Sequence, residues 1–382
     1  MRELNNVSKN SSKTIGVEYM FYGFVFFIIF IKSIFSNSAE VVYNVTLVIF
    51  SVFSILRLIR QKYSIGQLFS ITILSIIFLL NAYISRDFSL LVSFLFFLGM
   101  RNIDLTKVLK SALMAKVLSF LYVLISYLLD FRSGSAIVFS RSGGTVLRYG
   151  FGFGSPNTFH ASFSFILFLI ISIFYNKIKG IHLILMFSLN EFIYFFSQSR
   201  TGRYSVIVVL LCLLMMKSSK KIGAYFLKFT PYLSIFLFVF TISLSTIFKD
   251  SFIYSTLNSL LSGRPFYSSA LLKHTPTLFG TDVMSYTYIT NDGYVYEMIH
   301  DNSYSATYAI AGLVITFILL VYFYIVSKEL LKRKMYDLLF LFISILIYSF
   351  MEDYLRYIYF NFLVFICGSF FYNQIFLEEE KR

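Results

Sequence analysis

Phe24-Val25-Phe26-Phe27-Ile28-Ile29-Phe30-Ile31 turns an apolar side chain in every direction, as does Ile76-Ile77-Phe78-Leu79-Leu80 further along. A strand of a membrane barrel would alternate apolar and polar residues, so these runs read as helices surrounded by hydrocarbon. About 20 apolar residues cross roughly 30 Å of hydrocarbon, and runs of that size recur from one end of the chain to the other. Apolar runs bounded by charge or turn residues predict twelve spans, the first six at residues 18–36, 40–57, 66–84, 87–101, 108–129 and 158–176. The other six are predicted at 181–197, 203–217, 228–248, 305–326, 335–351 and 355–376. The expected fold is all-α: one helical membrane bundle over residues 1–382, with two large extracytoplasmic loops at 130–157 and 249–304.

Composition excludes the soluble alternatives. Of 382 residues 58% are hydrophobic and 14% charged, with 48 Phe and 29 Tyr, a mixture that would not stay in water as a folded domain. The net charge of +14 comes from short basic clusters between apolar runs, which reads as cytoplasmic anchoring and not as a nucleic-acid surface. Cys212 and Cys367 both lie inside apolar segments, which argues against a disulfide framework, a metal cluster and redox chemistry. The basic leader of the first run, with Arg2, Lys9 and Lys13, reads as that of an uncleaved signal anchor.

Positive residues orient the bundle. With both termini cytoplasmic, 20 of the 33 Lys and Arg fall inside, 10 outside and 3 within spans, as the positive-inside rule requires. The outer ten are unusual in kind: eight are Arg, whereas only 6 of the inner 20 are. Guanidinium binds phosphate and carboxylate through paired hydrogen bonds, so this face is suited to an anion such as a lipid diphosphate; Arg anchored in headgroups is the plainer reading of any single residue.

The first loop holds Arg132, Arg141 and Arg148, then Gly150-Phe151-Gly152-Phe153-Gly154-Ser155-Pro156-Asn157. No strand precedes these glycines as a nucleotide-binding loop would need. They form either a reentrant turn whose amides help hold an anion or a structural turn before the sixth span. In the second loop, 252–261 reads as an interfacial helix, and Glu297, His300 and Asp301 are its acid or base candidates. Within spans Lys32, Lys116, Glu191 and Lys228 are costly unless paired, snorkelling or facing a cavity; Glu191 could balance Arg200 from below. Glu352 and Asp353 read as partners of Arg356 in an exterior ion pair of little energetic value.

The stretch Arg148-Tyr149-Gly150-Phe151-Gly152-Phe153-Gly154-Ser155-Pro156-Asn157 resembles the signature of Wzy-type polysaccharide polymerases, relatives of O-antigen ligases. Ser199-Arg200-Thr201-Gly202, Gly263-Arg264, Leu278-Phe279-Gly280 and Asp301-Asn302-Ser303-Tyr304 resemble further family motifs, in order. The resemblance runs from about Arg141 onward, through short motifs. Arg141 and Gly152 meet the family's Arg, ten residues, Gly pattern; in the second loop Thr275 stands where the matching Gly would be, so the twin motif is absent. Ligase relatives carry His-Asn, nine residues, Gly; here Asp301-Asn302 and Gly312 keep the spacing with Asp in place of His, which favours a polymerase.

The resemblance implies glycosyl transfer outside the cytoplasmic membrane, joining polyprenyl-diphosphate-linked repeat units into a capsular, O-antigen or exopolysaccharide chain. It implies donor and acceptor lipids, with chain-length regulator and flippase proteins as accessory partners. Arg141, Arg148, Arg200 and Arg264, with Asn157, Asn302 and Tyr304, would bind the diphosphate and substrate. Asp301, the first choice, or His300 would be the base. Glu191 and Glu297 would support them. Exterior carboxylates do not cluster as Mg²⁺ would need, so metal- and cofactor-independent chemistry is expected. A glycan ligase, and a transporter or flippase of lipid-linked sugar, are the alternatives.

Overall fold

The computed structural model describes residues 2–34, 40–134, 136–141, 144–218, 220–274, 277–283, 287–289, 295–297 and 299–373. It is an all-helical membrane bundle. Among the described residues nine helices are long and apolar enough to cross a bilayer. In chain order the first helices are α1 (Arg2–Ile34), α2 (Glu40–Ile59), α3 (Ile65–Ser85), α4 (Ser89–Gly99) and α5 (Leu105–Leu128). Against the expectation that no strand precedes the glycine run, an antiparallel hairpin, β1 (Ile137–Arg141) and β2 (Gly144–Arg148), stands directly before it and leads into α6 (Pro156–Ile173), α7 (Gly180–Ser197) and α8 (Arg200–Ser218). After α9 (Lys220–Phe229) and α10 (Leu233–Thr246), the second loop carries α11 (Phe252–Leu260), α12 (Arg264–Leu271), β3 (Thr287–Ile289) and β4 (Val295–Glu297). The chain closes with α13 (Ser303–Lys332), α14 (Tyr336–Ser349) and α15 (Leu363–Phe371).

These nine helices coincide with nine of the twelve predicted spans, and at the other three the helices are short. α4 has 11 residues, α14 has 14 and α15 has nine. At 1.5 Å per residue they reach only about 16, 21 and 13 Å, less than the ~30 Å of hydrocarbon. Most of α14 is buried inside the bundle, so its apolarity serves protein packing. Where the twelfth span was expected to begin at residue 355, the chain is irregular until Leu363.

α13 is not one straight rod. Gly312 has φ +77°, and the helix is broken there. The second loop repairs the break: the amides of Leu313 and Val314 donate to the carbonyls of Thr277 and Leu278, and that of Thr281 donates to Ala309. Asn81 of α3 donates to the carbonyls of both Phe279 and Ile310 at 2.8 Å. The Leu278-Phe279-Gly280 motif is thus a plug that supplies the hydrogen bonds hydrocarbon cannot.

The glycine run of the first loop is a compact turn. Phe151, Gly152 and Gly154 all have positive φ, and the Phe151 and Phe153 rings enter an aromatic cluster with Phe159 and Phe120. Ser155 then caps α6 through the Thr158 amide, with Pro156 at the first turn. α11 forms as expected and has no fully buried residue.

Candidate functional site

Residues 350–362 join α14 to α15 without helix, packed inside the protein. Such backbone is tolerated at membrane depth only when protein satisfies it, and here side chains from α4, α12 and the start of α13 do so. Asn302 donates to the Phe350 carbonyl, Arg264 to that of Met351, Ser303 to that of Glu352 and Ser93 to that of Arg356. Ser303 Oγ also accepts from the amides of Tyr354 and Leu355. Within the segment, Asn361 bonds Leu355 O and the Leu363 amide.

Glu352 is the hub of this arrangement. Arg264, the first residue of α12, donates to its Oε1 at 2.7 Å, and Asn157 donates to the same oxygen at 3.3 Å. Arg148 in turn donates to Asn157 Oδ1 at 2.6 Å and to the Ser197 carbonyl at 3.0 Å. The Thr201 side chain reaches the Glu352 carboxylate as well. Asp301 lies 4.0 Å from the Arg264 guanidinium. Burial pushes the Glu352 pKa up to about 7 against the pull of Arg264, with Asp301 adding to the rise. Asp301 is also raised by burial, which outweighs Arg264.

His300 is half-buried, with both ring nitrogens shielded from solvent and without a hydrogen-bond partner among the described residues. Burial, then the nearby Arg356, lower its pKa to about 4, so the ring is neutral near pH 7. Arg356 itself is 0% exposed and pairs with Asp353 and, from the turn after α3, Asp87. The expectation of a weak exterior pair among Glu352, Asp353 and Arg356 is therefore corrected twice. Asp353 and Arg356 form a buried pair, and Glu352 belongs to Arg264.

The remaining predicted residues divide by what they touch. Asn302 caps α13, accepting from the amides of Tyr304 and Ser305, and is 5% exposed. Tyr304, expected to face substrate, is in the core with its hydroxyl donating to Leu346 O, because α13 turns it inward at its first step. Arg200 is half-buried at the start of α8 and has no hydrogen bond or ion pair to any described residue. Glu191 does not balance it: that carboxylate pairs with Arg203 at 2.7 Å, one helical turn further along the same face of α8. The side chains of Arg141 and Glu297 lie outside the described residues.

Sequence reasoning missed Glu352 as a hub, and it missed His160. The His160 ring is 0% exposed, bonded to Ser197 Oγ and Asn190 Oδ1 at 3.0 Å each. A Cβ at Gly202 would overlap this ring, which is why the Ser-Arg-Thr-Gly turn ends in glycine. The available signal was cost: Glu352, Asp353 and Arg356 interrupt an apolar stretch, where each charge demands a partner. Among the described residues no three His, Cys, Asp or Glu side chains gather as a metal would require.

Two cavities flank the 350–362 segment. An apolar one of ≈ 390 Å³ lies between α3, α4, α13 and α15 against Leu355 and Asn361. A polar one of ≈ 320 Å³ lies beneath the first loop, between α1, α6 and Tyr354, Tyr357 and Tyr359.

The fold and the cluster define a polytopic helical membrane protein with a buried ionic centre at the end of the bundle where both long loops begin or finish. No family model, no curated protein and no solved structure matches the chain.

Proposed function

We propose that this protein is a polysaccharide polymerase that joins polyprenyl-diphosphate-linked oligosaccharide units on the outer face of the cytoplasmic membrane. In this reading all twelve apolar stretches cross or re-enter the bilayer, both termini are cytoplasmic and the ionic centre faces outward. The observation that carries it is the convergence of Asp301, His300, Arg264 and Glu352, with Asn157 and Thr201, at one end of the bundle. Four of the motif segments that carry the family resemblance meet there.

The chemistry follows from their charge and burial. Asp301 removes the proton from the attacking sugar hydroxyl as that oxygen bonds to the anomeric carbon of the donor. The bond from that carbon to the diphosphate oxygen breaks, and polyprenyl diphosphate leaves with the electron pair. Arg264 is already paired, so its part is to hold Glu352 and Asp301 in register; Arg200, without a partner among the described residues, is available to the anion. His300, neutral with both nitrogens unpartnered, can hydrogen-bond the hydroxyl or serve as the base in place of Asp301.

The test is a ladder of chain lengths formed by the reconstituted protein from one lipid-linked repeat-unit pool. Asp301→Asn should slow ladder formation by about 10²–10⁴-fold, the usual contribution of a general base, with thermal unfolding unchanged. A base acts deprotonated, and Asp301 is raised above the ordinary carboxylate range. The rate should therefore fall as pH drops, with a midpoint above the ~3.9 of a free aspartate. Retention of this limb in Asp301→Asn, and its loss in His300→Gln, would transfer the role to His300. Transfer of glycan only to a different added acceptor would make the protein a ligase.

The break in α13 favours the transporter alternative, since discontinuous helices often hold a transported ion or substrate. Here the second loop occupies the break and takes up backbone groups that would bind such a ligand, which supports the enzyme.

A further inference from the structure

Lys116 is a buried cation within the bundle. It sits midway along α5, 1% exposed, and an ammonium group brings three donors. Its one polar partner among the described residues is the Ser33 hydroxyl at 3.2 Å, while the Phe360 ring lies 3.8 Å from the charge. Ser33 and Phe360 both line the ≈ 320 Å³ polar cavity, and so do Lys32 and Arg132. Among the described residues Arg132 donates to the carbonyls of Gly152 and Ile34, and Lys32 rests 4.8 Å from the Tyr43 ring. Lys32 and Arg132 thus line the cavity and Lys116 stands behind its wall at Ser33 and Phe360, and none of the three has a carboxylate partner among the described residues.

This is the reverse of the arrangement around Glu352. Arg264 and Arg356 are buried with carboxylates, because burying a lone charge costs several kcal/mol. A cavity lined by two half-buried cations, with a third buried behind its wall and no carboxylate beside any of them among the described residues, suits an anion that arrives from outside. Its lining also includes the hydroxyl-bearing Tyr354, Tyr359, Thr158 and Ser162 and the glycine turn at Gly152 and Gly154, beside the apolar Ile34, Phe153 and Phe360. Three positive charges match the two to three negative charges of a diphosphate better than the single charge of a carboxylate. The volume also exceeds what one sulfate-sized ion would fill.

We propose that the cavity lined by Lys32 and Arg132 and backed by Lys116 binds a diphosphate, and, resting here on the polymerase reading, that this is the headgroup of a lipid-linked substrate. The sequence assigned that task to Arg141, Arg148, Arg200 and Arg264. Two of these, Arg148 and Arg264, are engaged in holding Asn157 and Glu352. Tyr354, two residues after Glu352, lines this cavity, so the 350–362 segment borders both the cavity and the ionic cluster.

Full-length protein in an uncharged detergent, titrated with inorganic pyrophosphate by calorimetry, tests this directly. Wild type should bind one equivalent, and Lys116→Met and Arg132→Gln should each bind at least tenfold more weakly. Lys107→Gln, on the exposed face at the start of α5, should bind as wild type does. Should Lys116→Met not fold, Lys32→Gln gives the same reading. Absence of binding by wild type, or equal binding by the variants, overturns the proposal. Farnesyl diphosphate should compete at concentrations where phosphatidylglycerol micelles do not; equal competition by both would make this a general anionic-headgroup site and overturn the diphosphate assignment. The readout does not depend on turnover. Binding lost in the variants without any ladder from wild type keeps the cavity assignment and removes the polymerase reading; a ladder without pyrophosphate binding does the opposite.

Discussion

Gly280→Ala should remove most of the folded protein and all of the ladder. Gly280 has φ +95°, and a Cβ there would overlap the Ile310 carbonyl and meet Asn81 Nδ2 at 2.7 Å. Across the contact, a Cβ on Gly312 would strike the Gly280 amide and lie 2.7 Å from Leu278 O. The two glycines are packed backbone to backbone, so neither side can yield by moving a flexible side chain. An L-residue held at such a φ costs roughly 1–3 kcal/mol. Displacing the plug also breaks the backbone bonds from Leu313, Val314 and Thr281, each worth about 1 kcal/mol. The loss falls on function as well, because the plug and Asp301 lie on the same stretch leading into α13. Thermal unfolding in detergent, beside Gly23→Ala as a control with nothing within 4 Å of its added Cβ, checks this. A Gly280→Ala protein that unfolds at the wild-type temperature would mean that the plug is dispensable.

The second large effect belongs to Arg356. Arg356→Met keeps most of the side-chain volume and removes the charge that Asp353 and Asp87 face. The two carboxylates are then left in a site that burial alone makes hostile to them. Breaking one partner out of a buried pair costs about 3–5 kcal/mol, far more than the pair itself contributes. Arg356→Met with Asp353→Asn should regain part of that loss, since one orphaned charge is gone. A second readout separates charge from packing: Arg356 is, after burial, the main influence that lowers His300, so the His300 pKa should rise in Arg356→Met. Unfolding within about 1 kcal/mol of wild type, with His300 unmoved, would contradict the buried-pair account.

Much of this was legible from the chain. The helical membrane class followed from runs such as Phe24 to Ile31, since hydropathy is a local sum and lipid contact rewards it residue by residue. Motif order along the chain placed Arg148, Asn157, Arg264 and Asp301 in candidate loops, and the structure brings Arg148, Asn157, Arg264 and Asp301 around Glu352. Tyr304 went the other way, into the core, because its motif position said nothing of which face of α13 turns inward.

The sequence by itself determined the solvent, the helical state and the approximate position of each apolar stretch. Tertiary structure alone decided that α4, α14 and α15 stop short, that α13 is broken and plugged, and that Glu352 pairs with a residue 88 positions away. It alone decided, too, that Lys116 is buried behind a cavity wall without a carboxylate partner among the described residues. The reason is range: burying apolar surface is settled within a window of a few turns, whereas the cost of a buried charge or an unpaired backbone group is settled by whichever distant segment arrives beside it.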